Sequence, residues 1–233
     1  RNGGGKSTLA KLICGFENPT KGALRLHGEN LAGQSVRKRA MHIGYVMQNP
    51  NQMISHPLIY DEVASGLTVR GESSDAVRAK VEETLQICGL YPFRKWPVSA
   101  LSYGQKKRVT IASILAMGPE IIILDEPTAG QDFRHYTEIM EFLRSLNARG
   151  VTVVMITHDM HLMLEYCDRA AVFSQGRLIA DQRASDVLTD PGVVSRASLK
   201  ETSLQTLAEL CGIGETAAFV QCFIDWDRRV RGA

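Results

Sequence analysis

Two adjacent carboxylates, Asp125 and Glu126, stand at the end of the apolar run I-I-I-L, and a proline follows them. A short apolar run bounded by turn residues is typical of a strand buried on both faces of a parallel sheet. Ligands bind just outside the carboxyl ends of strands in open α/β sheets. The two acids therefore indicate a metal ion and a water molecule at a strand end. The alternative is a strand that simply runs into an acidic turn.

A glycine-rich stretch, R-N-G-G-G-K-S-T, opens the chain. Its last six residues fit the end of the phosphate-binding loop G-x-x-x-x-G-K-[ST], with Gly5, Lys6 and Ser7 as the closing triplet. In such a loop the backbone N–H groups and a helix N-terminus face phosphates, the lysine reaches the β- and γ-phosphates, and the hydroxyl binds Mg²⁺. Glycines are needed because side chains would hold the backbone away from the anion.

The residues after this loop favour a phosphate site over a linker scar. They are apolar at helical spacing: Leu9, Leu12 and Ile13. The opening glycine of the loop is absent, so we expect the chain to be an N-terminally truncated fragment that lacks the preceding strand.

Bulk composition narrows the class of protein. The chain has 233 residues, of which 44% are hydrophobic and 22% are charged, and this is ordinary globular composition. A formal net charge of +2 does not predict a nucleic-acid or anionic-membrane partner. The five cysteines include no C-x-x-C pair, so we expect small core residues in a reducing compartment. No apolar run is long enough to cross a bilayer and no signal peptide opens the chain, so we expect a protein that is soluble by itself.

The candidate residues must be positioned by a parallel sheet. Strands are predicted over 43–47, 121–128 and 151–157, with a helix over about 133–148 between the last two, which makes a β-α-β unit with a right-handed crossover. The first of these strands ends at Gln48. The third ends at His158, so we expect that histidine at the same strand-end level as Asp125.

A helical insert interrupts the sheet pattern after the polar segment N-P-N-Q-M-I-S-H-P. Asp61 and Asp75 are predicted N-caps of two helices. The second helix carries an apolar stripe that we expect in the core: Val77, Val81 and Leu85. The stretch L-S-Y-G-Q-K-K-R starts a third helix, whose N-terminus forms an anion site. Three residues mark that N-terminus: Ser102, Gly104 and Gln105.

The pattern in the last part of the chain predicts a hairpin over 170–173 and 177–180, followed by helices from about residue 185. Apolar positions define the predicted buried faces of these helices: Leu204, Leu207, Leu210, Val220, Phe223 and Ile224. Phe219, Phe223 and Trp226 are expected to pack on the core.

The order of these parts resembles the nucleotide-binding subunit of ATP-binding-cassette (ABC) transporters over nearly the whole chain. The resemblance implies an α/β fold of the P-loop NTPase type, RecA-like, with three layers and an inserted α-helical subdomain. It implies a nucleotide-binding core of residues 1–48 and 119–188 whose first strands are missing. Residues 49–118 would form the signature subdomain and residues 189–233 a C-terminal extension. It also implies ATP and Mg²⁺ as cofactors.

Roles follow from the resemblance position by position. The phosphate cradle would comprise Asn2, Gly3, Gly4, Gly5 and Lys6, with Thr8 as a further phosphate contact. The Mg²⁺ ligands would be Ser7, Asp125 and Gln48. Glu126 would polarise the attacking water, His158 would contact the γ-phosphate, and Gln48 would sense both metal and water. Asp132 matches the loop that crosses to the opposite subunit.

The signature helix implies a dimer. In this family two cassettes pack head to tail, so Ser102, Gly104 and Gln105 of one chain would cap the γ-phosphate bound by the other. The partners would be a second ABC ATPase domain and an integral membrane subunit, at the cytoplasmic face of the cell membrane, without nucleic acid. The second domain would belong to another copy, a related chain or a fused chain. The C-terminal extension is a candidate contact to this second cassette.

Within the family, the segment N-P-N-Q-M resembles that of energy-coupling-factor (ECF) importers of vitamins, their precursors or metal ions. Three positions depart from the usual pattern: Tyr103 replaces the first glycine of L-S-G-G-Q, Asn51 replaces an acid, and Gln131 replaces a leucine. The alternatives are an ABC ATPase that acts in translation or DNA repair, and a nucleotide sensor without hydrolysis. The balanced charge and the lack of a coiled coil argue against the first of these, and the presence of Gln48, Glu126 and His158 argues against the second.

Overall fold

The computed structural model describes residues 4–128 and 133–232. The helices are α1 (Lys6–Cys14), α2 (Val36–Arg39), α3 (Ile59–Arg70), α4 (Ser74–Ile87), α5 (Tyr103–Leu115), α6 (Phe133–Ala148), α7 (Met160–Tyr166), α8 (Ala184–Thr189), α9 (Pro191–Ala197), α10 (Ser203–Leu210) and α11 (Thr216–Gly232). The strands are β1 (Arg25–Leu26), β2 (Glu29–Asn30), β3 (Ile43–Val46), β4 (Ile121–Asp125), β5 (Thr152–Ile156), β6 (Ala170–Ser174) and β7 (Arg177–Gln182).

The chain divides into two compact units. One is Ser7–Ile156, and the other combines Arg1–Lys6 with Thr157–Ala233. Asn2, Gly3, Gln131 and Asp132, which carry sequence predictions, lie outside the described residues.

A parallel three-stranded sheet in the order β3-β4-β5 organises the unit Ser7–Ile156. Strand β4 lies between the other two, and its three middle residues are buried. Strand β5 is less buried than β4, since only its Ile156 is buried. The reason is its position at an edge of the described sheet, where one flank of a strand has no neighbour.

The helix predicted after the glycine-rich loop forms as α1 and packs on this sheet. Ala10 and Cys14 of the helix share a core cluster with Ile43 and Ile123. The end of the helix is held by Arg39, a buried residue whose guanidinium donates to the carbonyl oxygens of Leu12, Ile13 and Leu31. A cation at a helix C-terminus is favourable because it complements the partial negative charge of the free carbonyls.

The helical insert forms largely as predicted, and only its caps differ. The stripe Val77, Val81 and Leu85 on α4 is buried. The predicted N-caps were wrong: α3 begins after Leu58, and Ser73 caps α4 by accepting a hydrogen bond from the amide of Ala76. The two aspartates lie in the first turns instead. A serine provides the same oxygen acceptor, and carboxylates within the first turn still complement the helix dipole.

The second unit contains the predicted hairpin, since β6 and β7 pair antiparallel. A separate core cluster lies here and includes Val172 of the hairpin, Val187 of α8 and Val220 and Ile224 of α11. Among the described residues, no helix is both long and apolar enough to span a bilayer.

The C-terminal helices bury less apolar surface than predicted. Large side chains expected in the core are exposed: Leu207 (45%), Leu210 (82%), Phe223 (40%) and Trp226 (54%). Helix α11 packs through the line of Val220 and Ile224, so residues one helix face away are directed outward.

The cysteines expected in the core differ in exposure. Cys14 and Cys88 are buried, whereas Cys211 and Cys222 are exposed.

Candidate nucleotide-binding site

The carboxylate of Asp125, the last residue of β4, is shared by two hydroxyl donors. Its Oδ2 accepts a hydrogen bond of 2.9 Å from the Tyr45 hydroxyl and one of 3.4 Å from the Ser7 hydroxyl. Tyr45 on β3 is paired with Ile123 on β4, and Asp125 lies two residues further along, on the same face of the sheet. Burial, and then the bond to Asp125, raises the pKa of the Tyr45 phenol. The phenol therefore stays protonated and acts as a donor.

The pair Ser7 and Asp125 suits Mg²⁺. Magnesium is usually bound by one or two carboxylates, by phosphate oxygens and by several waters. A hydroxyl and a carboxylate 3.4 Å apart present that small set of hard oxygen donors on one side. The third predicted ligand, Gln48, lies two residues beyond β3 and is exposed.

Glu126 has a backbone conformation that is rare for its residue type. Its φ is +46°, in the left-handed region, and its amide donates a 2.9 Å hydrogen bond to the carbonyl of Ile156 on β5. Such conformations cost of order 1 kcal/mol or more and occur where the surroundings impose them, often at functional sites. The turn breaks the regular alternation of the strand directly after Asp125.

The described part of the glycine-rich loop leads into α1. Gly5 has a φ of +94°, which L side chains rarely adopt, and a Cβ built there would make only an ordinary contact of 3.6 Å. The backbone conformation rather than space therefore requires glycine. Lys6 is the first residue of the helix, and Ser7 and Thr8 are exposed on its first turn. Free N–H groups at such a helix start favour an anion.

The signature stretch builds the N-terminus of α5 as predicted. Ser102 is the N-cap, and a capping box forms because its hydroxyl accepts from the amide of Gln105 (3.3 Å) while the Gln105 side chain accepts from the amide of Ser102 (3.0 Å). Gly104 is buried. The three residues border a groove of about 370 Å³ that also contacts Leu90 and Arg108.

Two residues of α5 contact the segment after β3, and the sequence had not singled out one of them, Lys107. The Lys107 ammonium donates to the carbonyl oxygens of Met47 (2.7 Å) and Gln48 (2.9 Å), and the Tyr103 hydroxyl donates to that of Gln48 (3.2 Å). Lys107 is fully buried. Desolvation lowers its pKa to about 8, while the charge of Asp125 acts in the opposite direction.

The buried position of Lys107 had a signal in the sequence. Gly104, Lys107 and Ile111 recur at helical spacing on one face of α5, and all three are buried. The basic run Q-K-K-R, however, predicts that a lysine within it is exposed to solvent.

His158 belongs to the second unit and is exposed. It directly precedes Asp159, whose carboxylate caps α7 by accepting from the amides of His161 (2.9 Å) and Leu162 (3.1 Å). This local order matches a strand-to-helix turn. The expected position of His158 at the same strand-end level as Asp125 stays a prediction.

Comparison with protein families identifies the class. A protein-family model described as ABC transporter matches residues 1–129, and a second family model, described as an AAA domain, matches residues 94–165. The chain belongs to the ABC transporter ATP-binding family, whose members hydrolyse ATP as transport ATPases. The predicted α/β fold of the P-loop NTPase type is thereby confirmed.

Individual relatives agree with this assignment. A protein of Clostridium perfringens, provisionally named ABC transporter ATP-binding protein CPE1583, is 58% identical over 231 residues, which cover 99% of this chain and 41% of the relative. A protein of Enterococcus faecalis with the same provisional family name is 57% identical with the same coverage. The chain thus spans about two fifths of the length of these relatives.

Two solved structures are similar. CbiO1 from Clostridium perfringens, titled as part of the ABC transporter complex cbiONQ, is 32% identical with a TM-score of 0.77 and covers 91% of this chain and 85% of its own. The ATP-binding cassette MJ1267 in its ADP conformation is 27% identical with a TM-score of 0.74, covering 83% of both chains.

Proposed function

We propose that this chain is the ATP-hydrolysing cassette of an importer of the energy-coupling-factor type, bound to a membrane subunit at the cytoplasmic face. The observation that carries the proposal is the shared carboxylate of Asp125 beside Ser7, directly followed by Glu126 in its left-handed turn. These residues supply two metal ligands and a neighbouring base. Phosphoryl transfer asks a protein mainly for positioning and charge neutralisation.

The roles are those of an ATP site. Ser7, Asp125 and Gln48 would hold a Mg²⁺ ion, which would supply charge neutralisation of the ATP phosphates. Lys6 and the backbone of residues 2–5 bind phosphate, and Glu126 orients and polarises the attacking water. His158 is assigned to the γ-phosphate and Asp132 to the loop that serves the second cassette.

The site is a half-site. The N-terminus of α5 presents Ser102 and Tyr103 to solvent, and a helix end of this kind favours a phosphate bound by another cassette. The relatives are more than twice as long as this chain, which leaves room for a second cassette in the same protein. Head-to-tail closure of two cassettes on ATP would then provide the mechanical stroke.

The importer assignment rests on the segment after Gln48. Asn49 caps a short 3₁₀ turn, Pro50–Gln52, and the buried Glu62 carboxylate accepts hydrogen bonds from the amides of Ser55 and His56. The ordered segment borders an open groove of about 290 Å³ lined by Asn51, Ile54, His56, Pro57, Pro97, Val98, Ser99 and Lys106. We assign this surface to the membrane subunit. The cargo class is a vitamin, a vitamin precursor or a metal ion.

The test uses the full-length protein with its membrane subunit. Glu126→Gln is expected to lower ATP turnover by about 100-fold or more, because the water loses its general base, while the affinity for a fluorescent ATP analogue is retained. Glu83→Gln removes an exposed carboxylate on α4 and serves as the matched control. Undiminished turnover in Glu126→Gln would refute the role of Glu126. Failure of an integral membrane protein to copurify would refute the importer assignment.

A further inference from the structure

Helix α5 has two different sets of contacts. Its N-terminal turn, with Ser102 and Gly104, is the part proposed to serve the second cassette. Two of its side chains hold the backbone after β3: the buried Lys107 donates to the carbonyls of Met47 and Gln48, and the exposed Tyr103 donates to the carbonyl of Gln48. The same helix therefore contacts the segment that carries the proposed sensor of metal and water.

Burying the Lys107 ammonium to make this contact is unfavourable in free energy. Lys107 is fully buried, and burying an ammonium is unfavourable unless it is paired and hydrogen-bonded. Within the described part of the chain, its hydrogen-bond acceptors are two neutral backbone carbonyls. An apolar side chain of similar length would avoid that cost, but it would leave the carbonyls of Met47 and Gln48 without this donor. What the lysine adds is a fixed direction for two consecutive carbonyl groups, and hence for the backbone that carries the Gln48 side chain.

We propose that Lys107 and Tyr103 are positioning residues that fix the backbone of Met47 and Gln48, so that the orientation of Gln48 follows the position of α5. This inference rests on the proposed role of Gln48 at the metal and the water. It also gives Tyr103 a reason to replace the usual glycine of the signature, because a glycine has no hydroxyl to donate to the Gln48 carbonyl. A nucleotide that moves the N-terminus of α5 then also moves the sensor of the chain to which that helix belongs.

Two variants test the inference in the full-length protein with its membrane subunit. Tyr103→Phe removes one hydroxyl from a side chain that is 40% exposed, and Lys107→Met removes two hydrogen bonds at similar length. The matched controls are Tyr91→Phe, whose ring lies against Arg94, and Lys80→Met, whose ammonium pairs with Glu72 on the surface.

The turnover number is measured per molecule competent to bind nucleotide, together with hydrogen exchange of the peptide that covers residues 43–53. We expect kcat to fall about 5-fold in Tyr103→Phe and about 10-fold or more in Lys107→Met. The second loss is larger because Tyr103 donates a neutral hydrogen bond, whereas Lys107 donates from a charged group. KM for ATP stays within about 2-fold, because phosphate binding is unchanged. Exchange of the peptide rises in both variants and stays at the wild-type rate in both controls.

A double variant that also lacks the Gln48 side chain distinguishes an effect on the position of Gln48 from general destabilisation of the protein. In Gln48→Ala protein, Tyr103→Phe is expected to cause no further loss of kcat, whereas a merely structural effect would lower kcat again. If Lys107→Met fails to fold, Tyr103→Phe alone decides, since its side chain is exposed.

The outcomes distinguish failure of this inference from failure of the proposed function. Normal hydrolysis in Gln48→Ala would refute the proposed role of Gln48 itself. Impaired hydrolysis in Gln48→Ala, with kcat and exchange of Tyr103→Phe and Lys107→Met equal to the controls, would overturn the inference and leave the proposed function standing.

Discussion

The hydroxyl of Tyr45 lies 2.9 Å from Oδ2 of Asp125, the same oxygen that accepts from Ser7. The two residues are on neighbouring parallel strands, and Tyr45 also makes an edge-on contact with the ring of Phe16. The tyrosine is thus held by packing while its hydroxyl orients a proposed metal ligand. Groups that orient a ligand in this way tune metal affinity without touching the metal.

Tyr45→Phe should weaken Mg²⁺ binding. The change removes one donor to Asp125 and keeps the ring contact, so we expect the Mg²⁺ concentration for half-maximal hydrolysis to rise about 10-fold. Electron paramagnetic resonance of Mn²⁺ bound with a non-hydrolysable ATP analogue gives a second measurement that does not depend on turnover. Tyr91→Phe is the control. An unchanged metal dependence in both measurements would mean that the hydroxyl does not orient Asp125.

Gly44→Ala should destabilise the sheet against α5. A Cβ at Gly44 would lie 2.1 Å from Cγ2 of Ile114, and β-branched side chains have little freedom to rotate away. Overpacking of this kind costs about 1 to 3 kcal/mol in free energy of unfolding. Urea denaturation measures the loss, and Gly214→Ala is the control because nothing lies within 4 Å of its added methyl group.

A second glycine sharpens that test. At Gly66 the added Cβ would meet the sulfur of Met117 at 2.4 Å, but a thioether chain can change rotamer. We therefore expect a smaller loss for Gly66→Ala than for Gly44→Ala. Equal stability of Gly44→Ala and the control protein would show that Ile114 relaxes without cost.

Glu62→Ala should loosen the segment proposed to meet the membrane subunit. The carboxylate, 7% exposed, accepts from the amides of Ser55 and His56 at 2.8 Å each and from the Ser55 hydroxyl at 3.2 Å. Its removal takes a charged acceptor away from both amides, and hydrogen bonds to charged groups contribute about 1.5 to 3 kcal/mol. We expect lower stability in urea and weaker copurification of the membrane subunit.

The neighbouring exposed carboxylate provides the control for that prediction. Asp61→Ala removes an acid from the same first turn of α3 without touching the segment, and it should affect neither measurement strongly. Glu62→Gln keeps one acceptor oxygen and should lie between the two. If Glu62→Ala retains wild-type stability and association, the carboxylate does not order the segment.

Glu120→Gln should change how stability depends on pH. His42 and His27 contact the Glu120 carboxylate at 2.7 and 2.6 Å, and these hydrogen bonds, led by that of His42, lower the pKa of Glu120 below its ordinary value of 4.5. A lowered pKa in the folded state means that the stabilisation is present above the ordinary value and is lost as pH falls through the lowered one.

The measurement is the difference in melting temperature between wild type and Glu120→Gln across pH. The wild type should melt higher at neutral pH, by a small margin because the pair is exposed, and the difference should vanish in acid. Glu83→Gln should show no such trend. A difference that persists unchanged below the pKa of the carboxyl would mean that ionisation of Glu120 is not its source.

Much of the site could be predicted because its signals are local. A capping box needs only a serine followed three residues later by a glutamine, as in Ser102 and Gln105. The buried run of β4 and the acids that follow it are likewise contiguous in the chain. For the same reason the helix cap of α4 was mispredicted, since Ser73 and Asp75 offer equivalent oxygen acceptors within two residues of each other.

The sequence by itself determined the family, the order of strands and helices, and the residue types of a phosphate and metal site, because these depend on periodicity and short motifs. Only the tertiary structure decided that Tyr45 donates to Asp125, that Lys107 is buried against Gln48, and that Trp226 faces outward. Each of these facts depends on which distant segments come together, and the same residue types in the same local context could equally be solvated.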